Sequence, residues 1–292
     1  MASACSTIPT DDRPTRLAAV SYLNTAPLIE GLDRCRDAEV TRDAPAGLLG
    51  ALLEERADAA LAPIMDALTS PEPLVALDAG CIASDGPARS VILFLRSPVD
   101  RVRRVVTDPE SRSSAALCEV LLRRRYGSDA RVERGRAPMV AGDGSVPSGA
   151  DAVLLIGDKA ETRPPDAGAF PHRLDLGAEW AAWTGLPFVF AVWVCLASRA
   201  GDARVARARD LLDRQRRRNA MRLGWIADRR ALEHGWAPAP ARAYLGGVIG
   251  YELTAQRRAG LERFCEEARA VGLAPASARV RFAEEAPAPC PA

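Results

Sequence analysis

The sequence predicts an α/β protein with mainly parallel sheets, and three observations carry that prediction. Short apolar runs alternate with helix-patterned segments from Leu17 to Val271. Two of the runs, Ser90–Leu95 and Phe188–Leu196, are apolar almost throughout, as strands covered on both faces are. Hydrophobic residues are 48% of the chain and charged residues 26%, a balance that suits a packed globule rather than a disordered chain. At 292 residues the chain is long enough for two lobes or one large α/β domain.

The elements follow in order. Leu17–Val20 is the first strand, and Pro27–Cys35 a short helical segment with Pro27 in its first turn. Glu39–Arg42 is extended. Pro45–Glu55 places Leu48, Leu49, Leu52 and Leu53 on one helical stripe. Ala57–Pro63 is a strand of small residues, and Ser90–Leu95 a buried one. A second series runs through Val102–Val106 (strand), Ser113–Tyr126 (helix), Ala130–Arg134 and Ala152–Ile156 (strands), with a helix from Lys159 onward. Phe188–Leu196 is the last strand, before long helices over Ala203–Leu223 and Thr254–Val271. Residues 1–14 and 275–292, rich in Pro, Ala and Ser, read as loose tails.

Composition excludes several function classes. A net charge of +1 gives no field to recruit nucleic acid or an anionic membrane. Lys159 is the only lysine; the arginine-rich stretch Arg204–Arg230 is interrupted by Asp210, Asp213 and Asp228, as a solvated helix face is. The seven cysteines are scattered without a C-x-x-C pair or zinc spacing, which suggests reduced thiols in a cytosol. The N-terminal stretch lacks a basic start and an apolar core, and the longest apolar run, Leu186–Ala197, is too short to span a bilayer. A soluble, cytoplasmic protein is expected, its oligomeric state open.

In open α/β sheets ligands sit beyond the carboxyl ends of strands. The strand-end loops are Ser21–Thr25, Pro63–Asp66, Thr107–Ser114 and Gly157–Asp158. In the first, Asn24 or Thr25 either caps the next helix or offers Asn24's amide, donor and acceptor together, to a ligand. Ser111, Arg112, Ser113 and Ser114 stand at a helix entry, where free N–H groups and the positive dipole end favour a carboxylate or phosphate; ordinary capping beside a surface arginine is the alternative. Asp158 follows a buried strand and either caps its helix or points into the cleft. Ser90 opens another strand, where a lone serine is more often structural. His172 and His234 fall in loop-like surroundings, in no metal spacing and beside no candidate nucleophile, so a Ser/His triad has little support. Trp180, Trp183 and Trp193 read as packing residues.

These segments together resemble the chorismate dehydratases of the futalosine route to menaquinone. The resemblance covers about residues 16–272 and rests on VSYLNTAPL (20–28), ADAALAPIMDAL (57–68), SRSS (111–114), DAVLLIGDKA (151–160), LGAEWAAWTGLPFVFAVWV (176–194) and YLGGVIGYELTAQRRAGLERF (244–264). The family more often carries Thr where this chain has Ser113, and the hydroxyl is kept. The resemblance implies a periplasmic-binding-protein-like type II fold, two lobes with a ligand cleft between them. On this chain lobe one is expected at 15–94 plus 193–274 and lobe two at 95–192, with crossovers near Leu93–Ser97 and Ala191–Val194.

It also implies a substrate, chorismate, with two carboxylates and a C4 hydroxyl. Losing that hydroxyl and the C3 proton leaves an aromatic ring, 3-[(1-carboxyvinyl)oxy]benzoate. Ser21, Asn24 and Thr25 are then one wall of an anion-binding cleft and Ser111–Ser114 the other, with Ser90 a further contact. Asn24 orients the leaving hydroxyl, and the proton goes either to the substrate's own enolpyruvyl carboxylate or to Asp158. No metal or organic cofactor is required. The sister enzyme that makes 1,4-dihydroxy-6-naphthoate, a plain solute-binding protein and a ligand-sensing regulatory domain are the alternatives of the same fold.

Overall fold

The computed structural model describes residues 13–136 and 139–283. In chain order the strands and helices are β1 (Thr15–Ala19), α1 (Ala26–Ile29), β2 (Ala38–Arg42), α2 (Pro45–Leu53), β3 (Ala59–Pro63), α3 (Ile64–Thr69), β4 (Leu74–Ser84) and β5 (Val91–Leu95). Then come β6 (Arg104–Thr107), α4 (Ser113–Val120), β7 (Arg131–Arg134), β8 (Ala152–Ile156), α5 (Asp158–Thr162), β9 (His172–Asp175) and α6 (Leu176–Thr184). The remainder is β10 (Phe188–Leu196), α7 (Ala203–Ala220), α8 (Leu223–Arg230), α9 (Pro238–Gly247), β11 (Ile249–Gly250), α10 (Ala255–Ala270) and β12 (Arg281–Phe282).

These build two sheets. The first has seven strands in the order β11-β4-β10-β3-β1-β2, with β12 added to β4; the second has five in the order β7-β6-β8-β5-β9. The expectation of mainly parallel pairing holds only for part of each. β1 runs parallel to β2 and β3, and β6 parallel to β7 and β8. The strands that follow a passage from one sheet to the other reverse the direction: β10 is antiparallel to β3 and β4, and β5 to β8 and β9.

The small-residue strands are buried on both faces, and the two-residue period decides which core each side chain joins. On β1 and β3, Ala18, Ala60 and Ala62 face one apolar cluster while Leu17, Ala19, Ala59 and Leu61 face another. The first of these clusters also takes Leu93, Leu95, Val105, Ala152 and Leu154 from the second sheet, so one continuous core joins a face of each sheet. Trp180 and Trp193 are fully buried, and Trp180 meets Phe188 and Phe264 edge-on in that core.

Several sequence expectations need correction. Val91–Leu95 belongs to the second sheet and the whole of Phe188–Leu196 to the first. The chain therefore passes between sheets over residues 85–90 and 176–187, earlier than the expected crossovers by several residues each. The helix expected over Ser113–Tyr126 ends at Val120 and continues as a π-helical turn, Leu121–Arg125. Arg281–Phe282, expected in a loose tail, pairs with Val75–Ala76; residues 1–12 and 284–292, with Cys5 and Cys290, lie outside the described residues. β4, α3, β9, α6, α8 and α9 were not foreseen, and β9 contains His172. Among the described residues no helix is long and apolar enough to cross a membrane.

Candidate active site

A cavity of about 80 Å³ is lined from both sheets. Val20, Tyr22 and Asn24 reach it from the end of β1, Leu61 and Pro63 from β3, and Phe190 and Ala191 from β10. From the second sheet come Ser90 and Val91 at the start of β5, Ile156 and Gly157 at the end of β8, and Glu110, Arg112, Ser113 and Ser114 beyond β6. Ile82 and Ile249 complete an apolar lining broken by a few polar groups. Gly157 has φ +61°, and a Cβ there would stand 3.1 Å from the Tyr22 ring, so the close approach of the two strand ends needs a glycine.

Five of the nine expected site residues meet at this cavity: Asn24, Ser90, Arg112, Ser113 and Ser114. Asn24 does not cap a helix, since neither the short helical turn Leu23–Thr25 nor α1 has a side-chain cap. Its Nδ2 instead donates to the Tyr244 hydroxyl at 3.1 Å, and that hydroxyl donates to Ser90 Oγ at 2.6 Å. Ser90 is held in turn by the tight turn before it. Arg89 takes φ +58°, and the Asp175 carboxylate accepts from Ala88 N–H at 2.8 Å and Arg89 N–H at 2.7 Å. Asp175 also caps α6 through Gly177 and Ala178. The same carboxylate thus fixes a helix start and the residue that opens β5.

On the opposite side α4 begins without a side-chain cap, with Arg112 at its N-cap position. Ser113 Oγ accepts from the Met65 N–H, and Arg112 pairs with the buried Asp66 of α3. Burial pushes the Asp66 carboxyl up to about 6 against the pull of the guanidinium. Glu110 adds a negative group to the lining. Burial raises its pKa, but hydrogen bonds from Lys159 and Tyr22 outweigh that and hold it below the usual carboxylate range. Tyr22 donates to Glu110 at 2.6 Å, and Lys159 also pairs with the fully buried Asp108 at 3.0 Å.

The other four expected residues lie elsewhere. Ser21 is exposed, Thr25 is fully buried behind the lining, and Ser111 is buried on the far side of the α4 entry. Asp158 turns away from the cavity and accepts four hydrogen-bond contacts from three donors. Leu23 N–H donates at 3.2 and 3.3 Å, Trp236 Nε1 at 2.8 Å, and His234 Nδ1 at 2.8 Å, because a carboxylate can only accept. His234, which the sequence places in no metal spacing and beside no nucleophile, is therefore tied to one of the expected residues. Sequence reasoning missed Tyr244, Glu110, Lys159, Asp66 and Asp175. Lys159 carried a signal as the sole lysine in an arginine-rich chain, and Asp66 and Glu110 stand in marked strand-end loops, whereas Tyr244 and Asp175 carried none.

Among the described residues no three His, Cys, Asp or Glu side chains cluster as a metal site would need. The arrangement offers a guanidinium and an uncapped helix start for an anion, an apolar lining for a ring, and an amide and hydroxyl wall for a ligand hydroxyl.

Residues 15–270 match the model of a family described as menaquinone biosynthesis. The chain belongs to that family. A member at 32% identity is the chorismate dehydratase of Thermus thermophilus, aligned over 268 residues that cover 87% of this chain and 95% of the relative. Among solved structures, a protein from Archaeoglobus fulgidus superposes with TM-score 0.67 at 16% identity, covering 90% of this chain and 99% of its own. A Candida albicans protein with the generic periplasmic-binding-protein fold gives 0.62 at 10%, covering 89% and 91%. The ligand-binding component of an ABC-type import system from Staphylococcus aureus gives 0.61 at 13%, covering 94% and 99%. The chain thus has a periplasmic-binding-protein-like fold, as the resemblance implies.

Proposed function

We propose that this chain is a chorismate dehydratase, a hydro-lyase of menaquinone biosynthesis. It removes the C4 hydroxyl and the C3 proton of chorismate as water and leaves 3-[(1-carboxyvinyl)oxy]benzoate. The observation that carries the reading is the polar wall of Asn24 and Ser90, both hydrogen-bonded to Tyr244 behind them, in a cavity that also exposes Arg112 and the start of α4. Arg112 and the α4 entry, with Ser113 and Ser114, hold a substrate carboxylate. Asn24 orients the leaving hydroxyl, and the apolar lining favours the product's aromatic ring.

The proton acceptor is the substrate's own enolpyruvyl carboxylate. The competing base, Asp158, is outside the cavity lining and its oxygens already face three donors. Glu110 is held ionised by Lys159 and repels an anion, which orients the carboxylates toward Arg112. The reaction needs no metal or organic cofactor, and the unpaired buried cysteines suit a reducing cytosol.

The test is incubation of the purified protein with chorismate in the presence of EDTA, with product followed by chromatography. We expect stoichiometric conversion to the enolpyruvyl benzoate. Recovery of unchanged chorismate would leave a binding protein of the same fold, and activity restored only by a divalent ion would overturn the cofactor-free chemistry.

A further inference from the structure

We propose that Tyr244 is a positioning residue for the dehydration, fixing which atoms Asn24 and Ser90 turn toward the ligand. The inference rests on the dehydratase reading above. It starts from a chain of hydrogen bonds whose directions agree with one another. Ser90 Oγ donates to the Ala88 carbonyl at 3.3 Å, and a carbonyl can only accept. With its proton so directed, Ser90 accepts from the Tyr244 hydroxyl at 2.6 Å. The tyrosine oxygen, its own proton given to Ser90, is left to accept, and Asn24 stands 3.1 Å away. Asn24 accordingly turns its NH₂ toward Tyr244.

An asparagine amide can otherwise sit either way round at little cost. The neighbouring Thr25 hydroxyl, which donates to Asn24 Oδ1 at 3.4 Å, agrees with the same orientation. One consequence reaches the chemistry. The rotamer and the polarity of the groups facing the leaving hydroxyl are set before the ligand arrives, so no reorientation is needed in the transition state.

Tyr244 is built to hold still. Its side chain is buried, and its ring stacks on Trp236 at 4.7 Å and 17°. Trp236 is anchored in turn through Nε1 to Asp158. Burial raises the phenol's pKa, so it stays a protonated donor across the working range. Tyr244 is absent from the cavity lining and acts through Asn24 and Ser90, not by touching substrate.

The experiment compares Tyr244→Phe with the parent on chorismate, at a temperature where circular dichroism finds both folded. The ring and its stacking survive, and only the hydroxyl is lost. We expect kcat to fall by about ten- to a hundredfold, the range of a small misplacement of site groups, with KM within about threefold. In a Ser90→Ala background, Tyr244→Phe should cost clearly less than in the parent, since the two act along one chain. An inactive parent overturns the dehydratase reading and this one with it. An active parent with Tyr244→Phe within about twofold, or with losses that multiply fully in the double variant, overturns the role of Tyr244 alone. Should the phenylalanine variant not fold, 3-fluorotyrosine incorporated at position 244 keeps the shape and changes only the acidity of the donor. A changed kcat then supports the inference and an unchanged one refutes it.

Discussion

Asn24→Asp keeps the side chain's shape while removing its donors, and it separates a ligand-orienting amide from an incidental polar residue. In the parent the side chain is nearly buried and gives one N–H to Tyr244. A carboxylate can only accept, so in the variant the Tyr244 hydroxyl turns to it and abandons Ser90. The leaving hydroxyl loses its amide donor and meets a negative charge beside an anionic substrate. Losing one well-placed donor to developing charge costs about 3 kcal/mol, a factor of 10²–10³ in kcat. Rearranging one hydrogen bond costs the fold about 1 kcal/mol, or about 2–4 °C in melting temperature at this size. Burial raises the new carboxyl's pKa. Its neutral form regains one donor, so the deficit relative to the parent should shrink as pH falls. The assay is kcat on chorismate across pH, with melting followed by circular dichroism. Turnover within about threefold of the parent, at an unchanged ratio across pH, would remove Asn24 from the mechanism.

Asp158→Asn should lower stability by about 1–3 kcal/mol, because three donors lose a charged acceptor, and should lower kcat by less than about tenfold. A loss above about a thousandfold at an unchanged melting temperature would instead make Asp158 the base. Arg112→Ala should raise KM for chorismate by about tenfold or more and should also change the pH dependence of stability. Asp66 has a folded pKa raised to about 6, so its contribution is present below the unfolded value of about 4 and is lost as pH climbs through 6. Without the guanidinium that loss deepens and extends upward, which urea midpoints at about pH 5 and pH 8 would register; equal differences at both would refute the pairing. Lys159→Met should destabilise by about 1–3 kcal/mol at neutral pH, the low end of a broken buried pair because the lysine is one-third exposed. Glu110 is held low, so that penalty is present above the unfolded carboxyl value of about 4 and shrinks as pH falls below it. A penalty that does not change with pH would count against the Lys159–Glu110 pair.

What could be read in advance was local. The hydrophobic period placed β1, β3, β5, β8 and β10 within a residue or two, because an apolar run needs no tertiary information to declare itself. β4 escaped because prolines precede it and Gly80, with φ +122°, interrupts it, although all but one of its residues are buried. Strand direction was not legible, since β10 presents the same apolar run whichever way it enters the sheet. The site followed the same division. Asn24, Ser90 and the residues Arg112–Ser114 stand at element ends and could be picked out. Tyr244 lies 220 positions from Asn24 and stands at no strand end, and nothing in the loop Pro63–Asp66 pairs Asp66 with the distant Arg112. The place of Asp158 after β8 is legible in the sequence, but whether it faces the cavity depends on Trp236 and His234, from a distant turn.

The order β4-β10-β3 separates two strands that are neighbours in the chain by one that arrives more than a hundred residues later. As the polypeptide leaves the ribosome, β3 can pair with β1, but β4 has no earlier partner and must wait for Phe188–Leu196 or later strands. Every strand of the second sheet, from Val91 to Asp175, is synthesised in that interval and can pair first. The nested sheet is thus the natural first-formed unit, and the surrounding one closes late over long sequence separations, where loop entropy slows pairing. Phe190 and Ala191 on that late strand line the cavity, and Tyr244 emerges later still. A nascent chain stalled between β9 and β10 would carry every strand of the second sheet but lack the site's Phe190, Ala191 and Tyr244.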